Sequence, residues 1–353
     1  MFESLKHVYS KSNIPFLPQL YIKKILDNYN IEVIDVQRIR SVYKIKSKDG
    51  VYCLKKVGSS EKKAIKSIRI MEYLMTKNFH KVAKPIYCIT GEILVKADDS
   101  SYYLTNWIDA EEVDFENPNH VTDSVQLLAE FHEKAKGFND NDIKMKSNLG
   151  KVIKMYNRKL QLMSKFKDQL AKIQNKSIFD ITYQDNINYY IAQARQSIEL
   201  LKNSEYLSLC EESKKEKHVC HNSFYYQNIL KDNNNNYFIV DLESCLYDLP
   251  LIDLAKFLRR IMSRESFLWD FNYCNELITE YSRIRKINDK EYKVLLALLI
   301  FPYKFYRLGR KKYLKKKRWK EDRYIRKLNR VLESIVYKNT FIKDFKEYYD
   351  IKL

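Results

Sequence analysis

Alternating strand-like patterns fill residues 31 to 108 and then almost vanish, which divides the chain into a β-rich beginning and a long helical remainder. Val33 to Val36, Val42 to Ile45 and Val51 to Val57 read as three strands, with Lys48-Asp49-Gly50 as the tight turn between the last two. In the third strand, VYCLKKV, Lys55 shares a face with Val51 and Cys53, while Leu54 and Lys56 point the other way. A lysine placed among small apolar residues either snorkels or is held for an anion. Residues 61–76 put Ala64, Ile68, Met71 and Met75 on one helical stripe behind these strands. Ile86 to Ile89, Ile93 to Val95 and Tyr102 to Ile108 supply further strands, separated by the turn Thr90-Gly91-Glu92 and the bend Asp98 to Ser101. The expected result is a small antiparallel sheet with one helix packed on it. Ahead of it, Pro18 with Leu20, Tyr21, Ile25 and Leu26 predicts one short amphipathic helix after a loose start.

Past residue 108 the period is helical. Val125, Leu128, Ala129 and His132 lie on one face of a helix over 122–135, where His132 reads most simply as a buried histidine with a hydrogen-bond partner. Gly150 to Leu201, Leu251 to Ile261 and Val294 to Phe301 continue the pattern, the last ended by Pro302. Only one stretch interrupts it. His218 to Glu243 runs through a polar and aromatic loop (His221 to Asn228), a strand at Ile229-Leu230, a turn of Asp232 to Asn236, and a strand Tyr237 to Val240 ending in Asp241. Asn and Asp tolerate left-handed backbone and bond their own main chain, so this is a hairpin by its own chemistry. It sets Asn228 at its start and Asp241 at its end on the same edge. An amide oxygen and a carboxylate so paired could hold a hard cation such as Mg²⁺; equally, Asp241 could cap the next segment and Asn228 make a turn.

Charge and cysteine usage narrow the classes further. The formal net charge is +19, which ordinarily favours acidic partners, yet Lys, Asn, Ile and the 28 Tyr are spread along the whole chain, as in a general drift of composition. The basic maximum is Tyr303 to Leu332, where Lys311, Lys312, Lys315, Lys316, Lys317, Arg318, Lys320, Arg323, Arg326 and Lys327 interleave with Tyr306, Tyr313, Trp319 and Tyr324. Such a stretch could bind nucleic acid or another polyanion, or form a solvated helix face with its aromatics turned inward. The six cysteines are scattered with no C-x-x-C pair, which points to buried thiols, with neither zinc nor a disulfide framework suggested. No apolar run approaches 18 residues and no signal-like segment opens the chain, so the expectation is a soluble protein made in the cytoplasm, without a membrane partner.

A small sheet with one helix, followed by a helical half interrupted by such a hairpin, resembles the protein-kinase-like fold, and in particular its aminoglycoside phosphotransferase and choline kinase branch. The residues that carry this are Lys55 in VYCLKK, LLAEFH (127–132), His221 to Asn228 with Ile229-Leu230, IVDLE (239–243) and DLAKF (253–257). A closer resemblance is to CotS-like spore coat proteins, through EKKAIKSIRIMEYL (61–74), YYLTNWIDAEE (102–112) and FPYKFYRLGRKKYLKKKRW (301–319). The resemblance implies an α+β fold with a helical extension at 1–30, an antiparallel β lobe at 31–108 and a helical lobe at 109–353. That lobe would include the hairpin 218–243 and basic helices at 290–335.

Carried over residue by residue, the resemblance makes Lys55 a contact for ATP phosphates, and Thr105, Asn106, Trp107 and Ile108 the hinge beside an adenine. Asn228 and Asp241 become magnesium ligands, with Glu243 a second acidic contact, and Asp253 a brace for the catalytic loop. That loop usually reads His-Gly-Asp, four residues, then Asn, its Asp accepting the proton of the attacking hydroxyl. Here the residues are His221, Asn222, Ser223 and Asn228, so a hydroxyl stands at the base position. Base catalysis contributes roughly 10² to 10⁴-fold. RIRSVYKI (38–45) also lacks a phosphate-loop glycine, and Glu61 and Glu72 are both open as a helix partner for Lys55. The resemblance therefore implies a spore coat component, a pseudokinase or weakened phosphotransferase that acts beside other coat proteins. A working ATP- and magnesium-dependent kinase of a small hydroxylated substrate is the alternative.

Overall fold

A computed structural model of the chain describes residues 19–58 and 60–352; the expected Pro18 helix start lies outside them. The first elements are α1 (Gln19–Leu26), β1 (Val33–Ile39), β2 (Val42–Ser47), β3 (Val51–Lys56), α2 (Glu61–Thr76), β4 (Pro85–Ile86), β5 (Val95–Ala97), β6 (Ser100–Asn106) and β7 (Glu111–Glu112). Then come α3 (Pro118–Ala135), α4 (Val152–Ala171), α5 (Ile178–Lys202), α6 (Tyr206–Lys215), β8 (Val219–Cys220), β9 (Ile229–Lys231), β10 (Tyr237–Ile239) and β11 (Leu246–Tyr247). The chain ends with α7 (Pro250–Met262), α8 (Phe271–Ile284), α9 (Asp289–Ile300), α10 (Tyr303–Gly309), a π-helical turn at Arg310–Leu314, α11 (Glu321–Glu333) and α12 (Ile335–Tyr348).

Two compact units result, one of residues up to Val113 with Phe138–Met145 and Tyr225–Cys245, the other of Asp114–Gly137, Lys146–Phe224 and Leu246 onward. In the first, the sheet order is β1-β2-β3-β6-β4 with β5 also on β6, all antiparallel. Period-2 alternation sorts its side chains. Leu54, Tyr43, Ile45, Tyr102 and Leu104 form one buried face with Ile22, Ile25 and Leu26 of α1, while Val57 and Tyr103 pack with Ala64 and Ile68 of α2. Helices therefore serve two clusters, where the sequence pattern had suggested one helix behind the strands. Lys55 pairs in register with Tyr103, on the α2 side.

Several strands differ from their expected spans: β1 runs on to Ile39, β6 is shifted to Ser100–Asn106, and two others change for local reasons. The run Ile86 to Ile89 keeps only Pro85–Ile86 as strand, because the Cys88 N–H turns onto Glu92 O at 3.2 Å and Gly91, at φ +81°, closes the bend. The run at Ile93 to Val95 moves to Val95–Ala97, since Asp98 (φ +49°) makes the hairpin turn and fixes Ala97 opposite Ser100. A second sheet in this unit, β10-β9-β7, recruits Glu111 and Glu112, a pair with no apolar alternation to announce it.

The second unit is helical apart from the short pair β8–β11. The Gly150 to Leu201 run breaks into α4 and α5 at Ser177, whose hydroxyl and the Asp180 carboxylate form a capping box. Its aromatic core stacks Phe305 between Tyr183 and Tyr190, with ring centroids 4.0 Å apart on each side. Tyr306, Tyr313 and Tyr324 of the basic stretch are buried in the same cluster. Among the described residues, no helix is long and apolar enough to cross a membrane.

Candidate functional site

The hairpin forms as its Asx-rich turn dictates. Asp232 Oδ1 accepts the N–H groups of Asn234 and Asn236, each at 2.8 Å, and Asn235 takes a left-handed φ of +62°. Register then pairs Ile229 with Ile239, and the Val240 N–H donates to Asn228 O at 3.0 Å. This main-chain bond places Asn228 and Asp241 on one edge. Asp241 itself sits at φ +64°, which an aspartate tolerates better than most residues, and leads into a 3₁₀ turn, Leu242–Ser244.

In the same unit the Lys55 ammonium lies 2.9 Å from Asp241 Oδ1 and 2.8 Å from Glu243 Oε1. Burial opposes its charge, but the Tyr103 phenol and the two carboxylates outweigh burial and hold Lys55 well above the ordinary lysine range. Neither open helix partner reaches it: Glu61 accepts from the Ser101 hydroxyl, and Glu72 from the Tyr87 hydroxyl and, at 3.3 Å, Arg69. Lysine, not a carboxylate, is what α2 contributes here. Lys66 is buried and donates to the carbonyls of Glu243, at 2.9 Å, and Cys245. Sequence reasoning missed Lys66, whose signal was only a lysine inside the apolar run of α2.

Of the four residues expected to form a hinge, Thr105 and Asn106 end β6, and Trp107 and Ile108 follow it. Thr105 is buried opposite Cys53, the Asn106 N–H donates to Lys84 O and the Trp107 N–H to Val51 O, each at 2.9 Å. The β1–β2 turn carries Arg40 at φ +53°, so a side chain stands where a phosphate loop would have glycine.

In the second unit, the loop His221 to Phe224 is anchored by α7. Asn222, at φ +65°, donates its N–H to both oxygens of Asp253, at 3.1 and 2.9 Å. Lys256 reaches Asn222 Oδ1 at 2.7 Å and Asp253 Oδ1 at 3.3 Å. Burial pushes the Asp253 carboxyl up, but Lys256, His132 and the Asn222 N–H outweigh it and hold it well below the usual carboxylate range. Buried His221 accepts the Ser223 N–H on Nδ1 at 3.2 Å, which puts its ring proton on Nε2. His132 is buried as read from sequence, with Nδ1 2.7 Å from the Tyr281 hydroxyl; burial depresses its pKa and keeps it neutral. Lys256 and Tyr281 were not singled out by sequence, although Lys256 lies within the DLAKF motif.

Solved structures with this architecture include phosphotransferases. An aminoglycoside phosphotransferase from Alicyclobacillus acidocaldarius aligns over 97% of this chain and 98% of its own with a TM-score of 0.85 at 18% identity. A spectinomycin phosphotransferase in complex with ADP and spectinomycin aligns over 94% and 99% with a TM-score of 0.60 at 14% identity. At these identities the likeness defines a class by fold: the protein-kinase-like fold of small-molecule phosphotransferases, a β-rich part followed by a helical one. Residues 22–345 match the family described as "Spore coat putative kinase YutH", and the chain belongs to that family. It is also 28% identical over 261 residues to spore coat protein S of Bacillus subtilis (strain 168), spanning 73% of this chain and 74% of that protein.

Proposed function

We propose that this chain serves the spore coat as a kinase-like protein that keeps a nucleotide site and has lost or weakened phosphoryl transfer. The observation that carries the second half is Ser223. A hydroxyl cannot accept a proton at neutral pH as a carboxylate does, and it stands in a loop whose supports, His221 and Asp253, are intact. The scaffold of the catalytic loop is kept while its base is absent.

The first half rests on the other unit. Asp241 and Glu243 already share one cation, the Lys55 ammonium, and with the amide of Asn228 they make an all-oxygen donor set of the kind a hard divalent ion takes. In this reading Asn228, Asp241 and Glu243 hold magnesium and Lys55 contacts phosphate. The adenine lies beside Thr105 to Ile108, where the Ile108 N–H, which has no partner among the described residues, is the donor left to meet it. Bound Mg-ATP would supply a transferable phosphoryl group with its charge neutralised by the metal. Other coat proteins are the partners and the coat the location in this reading, on the strength of the family.

Thermal denaturation of the full chain with and without millimolar Mg-ATP tests it, because a ligand that binds only the folded state raises Tm. The expected result is a clear rise with little ATP turnover, and turnover restored in part by Ser223→Asp. No rise would remove the nucleotide site. Fast turnover by the parent chain, with a small hydroxylated acceptor, would establish the alternative of a working kinase.

A further inference from the structure

The segment 301–319 belongs to neither the nucleotide nor the loop residues; its Phe301, Phe305, Tyr306 and Tyr313 are buried and Tyr303 and Trp319 half-buried, so its cations are what it offers to a partner. Four basic side chains crowd one ring. Lys311 lies 4.2 Å and Arg323 4.3 Å from the centroid of Trp319, with Lys317 and Lys327 at 5.9 and 6.0 Å. None of these four has a carboxylate partner among the described residues. Helix spacing extends the arrangement: Lys304, Arg307 and Lys311 recur at three and four residues along α10 and the π-helical turn, and Arg323, Lys327 and Arg330 do so along α11.

The two rows face each other in opposite directions. Lys304 lies in the field of Lys327 and Arg330, whereas Lys311 lies in that of Arg323 and Lys327. Partial burial and then these like charges push Lys304 down to about 8 and lower Lys311 and Lys327 as well. Acidic partners serve neighbouring cations instead: Lys312 pairs with Glu321 at 2.7 Å, Arg330 meets Glu265 at 3.4 Å and Arg264 pairs with Glu116. Cations gathered without counter-ions repel one another, and a multivalent anion relieves the repulsion.

We propose that the cationic face shared by α10 and α11, centred on Arg307, Lys311, Arg323 and Lys327, is a docking site for an acidic segment of a partner protein. Nucleic acid fits it less well. Bases need open aromatic platforms, and the Trp319 ring already carries Lys311 and Arg323 while Tyr306, Tyr313 and Tyr324 are buried. What remains is a row of ammonium and guanidinium groups, the latter suited to forked carboxylate contacts. Arg323 and Lys327 stand about 6 Å apart along their helix, close to the roughly 6.6 Å between alternate side chains of an extended acidic chain.

The test measures binding of the full chain to labelled poly-L-glutamate, with single-stranded DNA and inorganic polyphosphate of matched charge as competing probes. The variant R307Q/R323Q/K327Q is compared with K165Q/K167Q/K172Q, which removes equal charge from lysines of α4 and the residue after it. The expected result is at least a tenfold loss in the first variant, less than a twofold loss in the second, and weakening of parent binding by salt. Relief of repulsion should leave the Tm of the first variant at or above the parent's, which separates lost docking from lost folding. Equal losses in both variants, no binding to poly-L-glutamate, or tighter binding of DNA or polyphosphate would each overturn the proposal.

Discussion

Asp253 holds the Asn222 N–H with both of its carboxylate oxygens, at 3.1 and 2.9 Å, and so fixes a left-handed residue at the heart of the His221–Phe224 loop. The contact comes from the first turn of α7 and does not involve residue 223. Loop geometry is therefore maintained independently of whether a proton acceptor occupies that position. A chain can lose the base and keep the fold around it.

Asp253→Asn should accordingly destabilise the protein by about 1.5–3 kcal/mol, the range for hydrogen bonds to a charged group, because it removes the charge that Lys256 and the Asn222 N–H address. The linkage has a definite sign. A carboxyl whose folded pKa is depressed contributes stability that is present above its unfolded pKa of about 3.9 and lost as pH falls toward the folded value. Denaturant unfolding should show the gap between parent and variant closing below about pH 4; a gap that stays constant would refute the assignment.

Gly309 offers a packing test in the same unit. A Cβ at this position would run into the Tyr183 ring and hydroxyl and Phe166 Cδ2, all buried. Gly309→Ala gains helix propensity but overfills the aromatic core, and the expected net effect is a loss of about 1–3 kcal/mol. Double replacement with Tyr183→Phe, which removes one clashing atom, should recover part of it in urea melts.

Much of this was legible in the sequence because it rests on local chemistry. The alternation of β1 to β3, the stripe of α2 and the Asx turn at Asp232 each carry their own signal within a few residues. The parts that stayed hidden depend on distant partners. Two-residue pairs such as β8–β11 are too short to show a period, and Glu111–Glu112 looks like loop until β9 lies beside it. Similarly, the choice between Glu61 and Glu72 for Lys55 could not be made locally, since the actual partners come from far along the chain, at Asp241 and Glu243.

Lys338 supplies a pH test. It is buried in α12, donating to Ile300 O at 3.0 Å and Gln193 Oε1 at 3.3 Å, with its ammonium 4.8 Å from the Trp269 ring centroid. Burial, with Arg259 and Lys304 nearby, pushes it down to about 7. A base with a depressed folded pKa contributes stability that is complete above its unfolded pKa of about 10.4 and lost as pH falls through about 7. Tm of the parent should gain a component that rises between about pH 7 and 10, and Lys338→Met should abolish that component. Parallel Tm curves for parent and variant over this window would contradict it.

Lys66 links helix α2 to the acidic end of the hairpin, and its removal should separate ligand binding from folding. Its buried ammonium donates to the carbonyls of Glu243 and Cys245, which flank the last residue of the 3₁₀ turn after Asp241. The turn carries the Glu243 side chain to Lys55, so Lys66, by holding the turn's carbonyls, acts on the position of that carboxylate. In Lys66→Met the stem is replaced by apolar atoms of similar length, while two carbonyls lose a donor. Buried acceptors left without partners cost about 1–3 kcal/mol. That is a modest fraction of the stability of a chain this size, whereas a shift of Glu243 acts directly on the proposed metal and phosphate contacts. Differential scanning with increasing Mg-ATP should therefore show the ligand-induced rise in Tm shrinking by at least half in Lys66→Met, beyond the change in the ligand-free Tm. Lys66→Arg, which keeps the charge and donors, should restore more of the rise than of the ligand-free stability. If Lys66→Met lowers only the ligand-free Tm and leaves the nucleotide response intact, Lys66 is a packing residue and the turn at Glu243 is held by other means.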